Sequence, residues 1–229
     1  MFETKYSKFL TILLIVIIVA IIGLASYLGY TYYRNYSIDN SSNQYVSTFI
    51  EEVANNTEQN NGTTQTNTNE TTGSISENIA AVNTTTSNGS NKVRTYKGYN
   101  VIGTIEIPKT DIKYPVLQDP PSIKKLETSV VALYPQGAEL NTVGNVVIIG
   151  HNYRNGLFFS NNKKLAEGDK IYITDLNGNK VTYKIYKVFL AEANDTSFYN
   201  RDTDGAMEIT LSTCTDDTSA RTIIQAKAE

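Results

Sequence analysis

An uncharged apolar run near the N-terminus limits what this chain can fold into more than any other feature of its sequence. Residues 9–33 contain no charged side chain, are dominated by Ile, Leu and Val, and end in a Tyr-rich segment. At about 1.5 Å per helical residue, such a run is long enough to cross a hydrocarbon core of ~30 Å. Tyr is also enriched at membrane–water interfaces. The run therefore predicts a single transmembrane helix.

The alternative for this run is a cleaved signal peptide. Its apolar core spans only about 7 to 15 residues and ends at a small-x-small site, so the longer run favours an anchor. Lys5 and Lys8 precede the run and Arg34 follows it, and no Lys or Arg then occurs until Lys92. Because Lys and Arg concentrate on the cytoplasmic side, we expect residues 1–8 to be a cytoplasmic tail and the bulk of the chain to be extracytoplasmic.

The segment after the run has a different composition. Residues 34–95 are rich in Asn, Thr and Ser, and they offer too few apolar side chains to offset the entropy lost on ordering. We predict a flexible, disordered linker here. Residues 45–53 form a short amphipathic stretch, for which we expect no more than a transient helix.

The remaining residues, 96–229, form one predicted domain made of short strands. Apolar residues recur at every second position in runs separated by turn residues. The predicted fold is all-β, an eight-stranded barrel with short helices, because closure removes exposed sheet edges; a two-sheet sandwich is the alternative. The predicted strands are 101–108, 112–118, 128–134, 144–152, the two arms of a hairpin over 169–192, 206–214 and 221–229, and the short helices are 120–128 and 157–168.

The charge pattern of this domain excludes some classes of function. Acidic and basic residues nearly balance beyond residue 91, whereas a nucleic-acid-binding domain is normally basic. Three acidic loop residues, Glu139, Asp202 and Asp204, are more typical of solvated side chains than of calcium ligands. We therefore predict no cofactor, no metal and no nucleic-acid partner.

The only cysteine and the only histidine of the chain both stand at ends of predicted strands. Cys214 ends strand 206–214, and His151 ends strand 144–152. Arg221 opens the last strand, close enough to reach Cys214 if the two strands are neighbours. A thiol nucleophile, a proton-transfer group and a charged donor suit acyl chemistry. Taken singly, a buried thiol, a structural histidine and a solvated arginine are equally simple interpretations.

Strand alternation also divides residues 206–214 into two faces. Met207, Ile209, Leu211 and Thr213 share the predicted core face. The other face is polar and ends in the thiol, so it is a candidate floor for an extended peptide. Its residues are Glu208, Thr210, Ser212 and Cys214.

Three stretches resemble one known family. "TLSTC" (210–214) with Arg221 downstream, "GNVVIIGHN" (144–152) and the lead-in 102–118 are similar to the motifs of sortases, the membrane-anchored cysteine transpeptidases of Gram-positive bacteria. The resemblance covers about residues 100–229. It implies a sortase-type barrel with His151, Cys214 and Arg221 as catalytic residues.

The resemblance also implies a reaction and its partners. Sortases cleave an LPxTG-like C-terminal sorting signal after Thr, hold the protein as a thioester, and transfer it to an amine, usually of a peptidoglycan precursor. No metal is needed for this chemistry. The residues predicted to contact substrate are Thr210, Ser212, Thr213 and Asn152. A second C-terminal apolar segment and a lid are not evident, which argues against the pilin-polymerising class; class D is preferred, and class B is next.

Two other functions remain open on the sequence. One is an extracytoplasmic cysteine peptidase that releases its substrate to water, although His precedes Cys here, the reverse of the papain-like order. The other is a non-enzymatic barrel that binds a surface partner, for which the thiol would be dispensable.

Overall fold

The computed structural model describes residues 3–60 and 93–229, in two compact units that divide between Asn40 and Ser41. The first helix, α1, is Glu3–Asn60, and a short helix, α2, is Ile123–Leu126. The nine strands are β1 Arg94–Tyr96, β2 Tyr99–Ile107, β3 Ile112–Leu117, β4 Val130–Tyr134, β5 Gly144–Ile149, β6 Lys170–Asp175, β7 Lys180–Glu192, β8 Met207–Cys214 and β9 Ala220–Ala228.

The unit that ends at Asn40 consists of the first part of α1. The predicted span 9–33 is helical, and its large apolar side chains are exposed. Among the residues that the structure describes, α1 is the one helix long and apolar enough to cross a membrane. The orientation of the helix across a membrane stays a prediction.

Strands β2 to β9 form a closed eight-stranded barrel, as predicted. Their hydrogen-bonded order is β2-β3-β4-β5-β8-β9-β7-β6, and β6 pairs back with β2, with Ile105 opposite Ile173. This closure decides against the two-sheet alternative. Neighbouring strands are antiparallel except β3 with β4 and β5 with β8.

The interior of the barrel follows from strand alternation. Ile148 of β5, Leu211 of β8 and Ile224 of β9 are register partners, and all three are completely buried. Every second residue of these strands therefore packs inside the barrel, while the residues between them form its outer face.

Two smaller predictions differ from the structure. The predicted helix 157–168 is reduced to a single 3-10 turn, Asn162–Lys164, and the helix predicted over 120–128 is only the four residues of α2. Strand β1 is additional to the predicted strands, and its first two residues lie in the segment assigned to the linker.

The predicted linker is wrong where α1 continues beyond residue 34. The helix runs to Asn60, and Tyr45, Phe49 and Val53, spaced four residues apart on one helix face, are buried. They pack against the outer face of the barrel, on a cluster formed by Tyr96, Val101, Leu117 and Val131. Burial of this face orders a segment whose overall composition is polar. Residues 61–92 lie outside the described residues.

Polar contacts accompany this docking. Ser42 Oγ donates to the carbonyl of Lys113 at 2.8 Å, and Arg94 of β1 forms an ion pair with Glu52. Gly178, in the β6–β7 turn, approaches Val53 so closely that an added Cβ would lie 3.2 Å from the Val53 Cβ. The helix is thus held at several points between β1 and the β6–β7 turn.

Phe49→Ala is expected to loosen this docking. Phe49 is only 2% exposed, and truncating a buried Phe costs about 3–5 kcal/mol. Amide hydrogen exchange within residues 42–53 of the detergent-solubilised chain should therefore accelerate by at least about a hundredfold, at ~1.4 kcal/mol for each factor of ten. The exposed Ile123 gives a control, Ile123→Ala, with unchanged exchange. Equal exchange in the two variants would contradict the docking.

Candidate active site

The strand register brings the three predicted catalytic residues to one end of the barrel. Cys214 is the direct cross-strand partner of Arg221 in the antiparallel β8–β9 pair. In the parallel β5–β8 pair, Ile149 lies opposite Ser212, and the amide of Gly150 donates to the Ser212 carbonyl at 3.3 Å. His151 follows directly, so it leaves β5 at the level where β8 reaches Cys214.

Arg221 contacts the thiol itself. Its Nη1 donates to the Sγ of Cys214. Both residues are half-buried, which leaves the sulfur within reach of a substrate. A guanidinium stays charged at all physiological pH values, so this pair offers a nucleophile and a permanent donor at one point.

His151 is half-buried on the loop that follows β5. Burial lowers the pKa of its imidazole, because the charged form loses solvation, and the carboxylate of Glu127 acts in the opposite direction. The ring stacks against Tyr153, with centroids 4.7 Å apart. The imidazole therefore favours its neutral form at neutral pH, and Glu127 moderates that preference.

Asn152 joins the histidine loop to the end of β8. Its Nδ2 donates to the carbonyl of Cys214 and to Oδ1 of Asp216, both at 2.9 Å, while its Oδ1 accepts from the amide of Arg154. Lys163 also donates to Asp216, at 2.5 Å, and these hydrogen bonds lower the pKa of Asp216. Asn152 is thus already engaged within the protein, and its predicted contact with substrate stays a prediction.

The second aspartate after the thiol shapes the β8–β9 turn. Asp217 accepts from the hydroxyls of Thr215 (2.5 Å) and Ser219 (2.8 Å) and from the Ser219 amide. These hydrogen bonds lower the pKa of Asp217 to about 2. Asp-x-Ser is a turn-forming spacing, so the sequence contained a signal for this role. The turn sets the span between Cys214 and Arg221.

The predicted polar floor is more enclosed than the sequence suggests. Thr210, Ser212 and Thr213 are all buried. The hydroxyl of Thr213 donates to the Gly150 carbonyl at 2.8 Å, on the core side, and that of Thr210 donates to Asn145 Oδ1 at 2.7 Å. Both hydroxyls are satisfied inside the protein. An open floor at Thr210 is therefore wrong, while Ser212 lies nearest the thiol on its face.

A buried apolar cluster that the sequence did not reveal lies on the same outer face of the barrel as the thiol. We call it the outer cluster; its buried members are Val147, Ala191, Phe198 and Ile223, with Leu133, Tyr134, Ile149, Phe189 and Tyr199 packed against them. Ile223 is the partner of Ser212, and Ala191 is the partner of Arg221. The cluster therefore borders the predicted catalytic residues. Beside it, an open pocket is lined by residues 190–192 and 194–197.

The arrangement can support nucleophilic acyl transfer on an extended peptide. A thiol, a guanidinium in contact with it and an imidazole stand at the end of a partly apolar face. Among the side chains that the structure describes, no three of His, Cys, Asp or Glu are grouped so that they could hold a metal ion.

The known proteins to which this chain is similar share one family description. A family model for the sortase domain matches residues 105–229. Sortase A of Bacillus anthracis is 35% identical over 115 residues, which is 50% of this chain. The match covers 52% of that protein, so the chain spans about half the length of the curated relative.

Solved structures agree on the fold. The chain is similar to the Clostridium perfringens sortase D5 transpeptidase, with a TM-score of 0.51 and 30% identity over 56% of this chain and 79% of that one. Sortase A from Corynebacterium diphtheriae also has a TM-score of 0.51 and 30% identity, over 57% of this chain and 61% of its own. The assignment to class D rather than class B stays a prediction.

Proposed function

Because the chain belongs to the sortase family, we propose that it is a membrane-anchored cysteine transpeptidase that attaches proteins to the cell wall. Its substrates are surface proteins with an LPxTG-like sorting signal, and its acceptor is an amine of a peptidoglycan precursor. Helix α1 anchors it, with the N-terminus cytoplasmic and the barrel outside. The observation that carries the proposal is the contact between Arg221 and the Cys214 thiol at the strand end where His151 emerges.

The first half-reaction forms the acyl-enzyme. The Cys214 thiolate attacks the carbonyl carbon of the signal's Thr, and the peptide bond to the next residue breaks. His151 in its charged form gives its proton to the departing amine. Arg221 stabilises the oxyanion that develops on the carbonyl oxygen. The product is a thioester on Cys214 and a free C-terminal fragment.

The second half-reaction transfers the acyl group. The incoming amine attacks the thioester carbon, and neutral His151 takes the proton that this nitrogen loses. The carbon–sulfur bond breaks, and Cys214 leaves as a thiolate. One peptide bond has been exchanged for another, so the reaction needs no oxidant, metal or nucleotide.

The decisive test is mass spectrometry of the detergent-solubilised chain mixed with LPxTG-like peptides. We expect a covalent adduct on Cys214 with the mass of the peptide up to its Thr, minus one water. Adding a glycine-based amine should discharge the adduct to a new amide product. An adduct that decays equally fast with and without the amine would indicate a peptidase, and no adduct with any peptide would indicate a binding barrel.

A further inference from the structure

The connection between β7 and β8, residues 193–206, carries two aromatic residues of the outer cluster. Phe198 is buried and Tyr199 is half-buried, and their rings pack edge to face with centroids 4.9 Å apart. The ring of Phe198 also packs against that of Phe189 of β7, with centroids 6.3 Å apart, and the ring of Tyr199 packs against that of Tyr134 of β4, with centroids 5.8 Å apart. These contacts place the connection against the outer face that ends in Cys214.

One buried amide holds the backbone beneath these rings. Asn145, near the start of β5, is 7% exposed. Its Nδ2 donates to the carbonyl of Phe198 at 3.0 Å and to that of Tyr199 at 2.9 Å. Its Oδ1 accepts from Thr210 Oγ1 at 2.7 Å and from Arg201 Nη2 at 3.3 Å. All four hydrogen-bonding positions of the amide are therefore filled.

We propose that Asn145 is a positioning residue for substrate binding, which fixes Phe198 and Tyr199 within the outer cluster so that the half-buried side chains of this cluster accept the apolar part of the peptide. The inference rests on the proposed function and adds a residue outside the catalytic set. Asn145 bonds to neither Cys214, His151 nor Arg221. It stands six residues before His151, at the opposite end of β5.

The energetics favour such a role for this amide. Two carbonyls of the connection lose their solvent partners beside β5, and each needs a donor there. The connection has a second tie, since Arg201 forms an ion pair with the buried carboxylate of Glu208, which also accepts from Tyr186 OH at 2.7 Å. Asn145 is the member of this network that bonds directly to the backbone of both aromatic residues.

Asn145→Asp isolates the donating half of the amide. The change keeps the size of the side chain and its acceptors, but it turns a carboxylate oxygen towards the Phe198 and Tyr199 carbonyls. We expect KM for an LPxTG-like peptide to rise about tenfold or more, since two hydrogen bonds are lost and repulsion is added. Alkylation of Cys214 by iodoacetamide should change less than about twofold, because the thiol and Arg221 are untouched.

Asn141→Asp is the matched control. Asn141 Nδ2 likewise donates to a backbone carbonyl, that of Asn179 at 2.8 Å, but it serves the β6–β7 turn. KM should therefore remain near the wild-type value. A second readout uses a peptide whose Leu is replaced by Ala, which should weaken binding to wild type by more than it weakens binding to Asn145→Asp. A drop in kcat without a rise in KM, or equal losses for both enzymes, would overturn the proposal.

The positioning role of Asn145 can be tested independently of the transpeptidase assignment. If wild type forms no acyl adduct, the transpeptidase assignment fails, and Asn145 is then tested on structure alone. Amide exchange over residues 196–203 should accelerate in Asn145→Asp and stay unchanged in Asn141→Asp. Unchanged exchange in both variants would overturn the positioning role itself.

Discussion

Cys214→Ala is expected to abolish peptide cleavage, with a loss of at least about 10³-fold, while the barrel stays folded. Cys214 is the only thiol in the chain, so no other cysteine can take over the acyl group. Its side chain lies half-buried at the end of β8, so its truncation opens no core cavity. Cleavage is measured by chromatography of a labelled peptide, and folding is measured by circular dichroism during thermal unfolding.

Cys214→Ser gives a second variant for the same experiment. It places a hydroxyl instead of the thiol beside Arg221 and so provides a much weaker nucleophile, and its activity should also fall close to the background. Met207→Leu, at the far end of β8, is the control, with wild-type cleavage expected. Cleavage retained in Cys214→Ala would assign the chemistry to another group and remove the basis of the mechanism.

His151→Gln should lower kcat/KM by about 10² to 10⁴, the range that general acid–base catalysis contributes. Gln keeps a polar side chain of similar length but carries no transferable proton at neutral pH. The loss should be smaller for thiol alkylation, which needs no acid, than for peptide cleavage. Comparing the two rates in wild type and variant measures the difference.

The pH dependence of kcat/KM is a second test of His151. The carboxylate of Glu127 raises the pKa of His151 against the effect of burial. Glu127→Gln should therefore lower that pKa further, so the charged imidazole is lost at lower pH and the limb of the kcat/KM profile that reports His151 moves to lower pH. Glu139, in an exposed position, gives the control Glu139→Gln with an unmoved profile. A shift to higher pH in Glu127→Gln would contradict the assignment of His151.

The strands of the barrel could be predicted because each carries its own period-two pattern. In β8, Ile209 and Leu211 alternate with Thr210 and Ser212, and this local signal survives in the folded chain. The second half of α1 could not be predicted in the same way. Tyr45, Phe49 and Val53 are stable as a helix face only because β1 to β4 supply the surface that buries them.

The candidate site shows the same division. The single Cys and the single His of the chain indicate the site by their rarity and their places at strand ends, and the family motifs add Arg221. The outer cluster and the hydrogen bonds of Asn145 depend on the pairing of β5 with β8, which are more than sixty residues apart in the chain. No local sequence pattern therefore predicts them. Asp217 is intermediate, since its turn is local but its position between two predicted catalytic residues is a property of the β8–β9 pair.

Because β5 pairs with β8 in parallel, the candidate active site is complete only when the whole barrel has folded. Cys214 and Arg221 meet within one hairpin, a contact between residues seven apart. The histidine comes from a strand that can align only after a long crossover, and such non-local pairings form late. A chain with only this hairpin assembled holds its nucleophile without its acid. If the proposed function holds, such a chain cannot yet catalyse transfer.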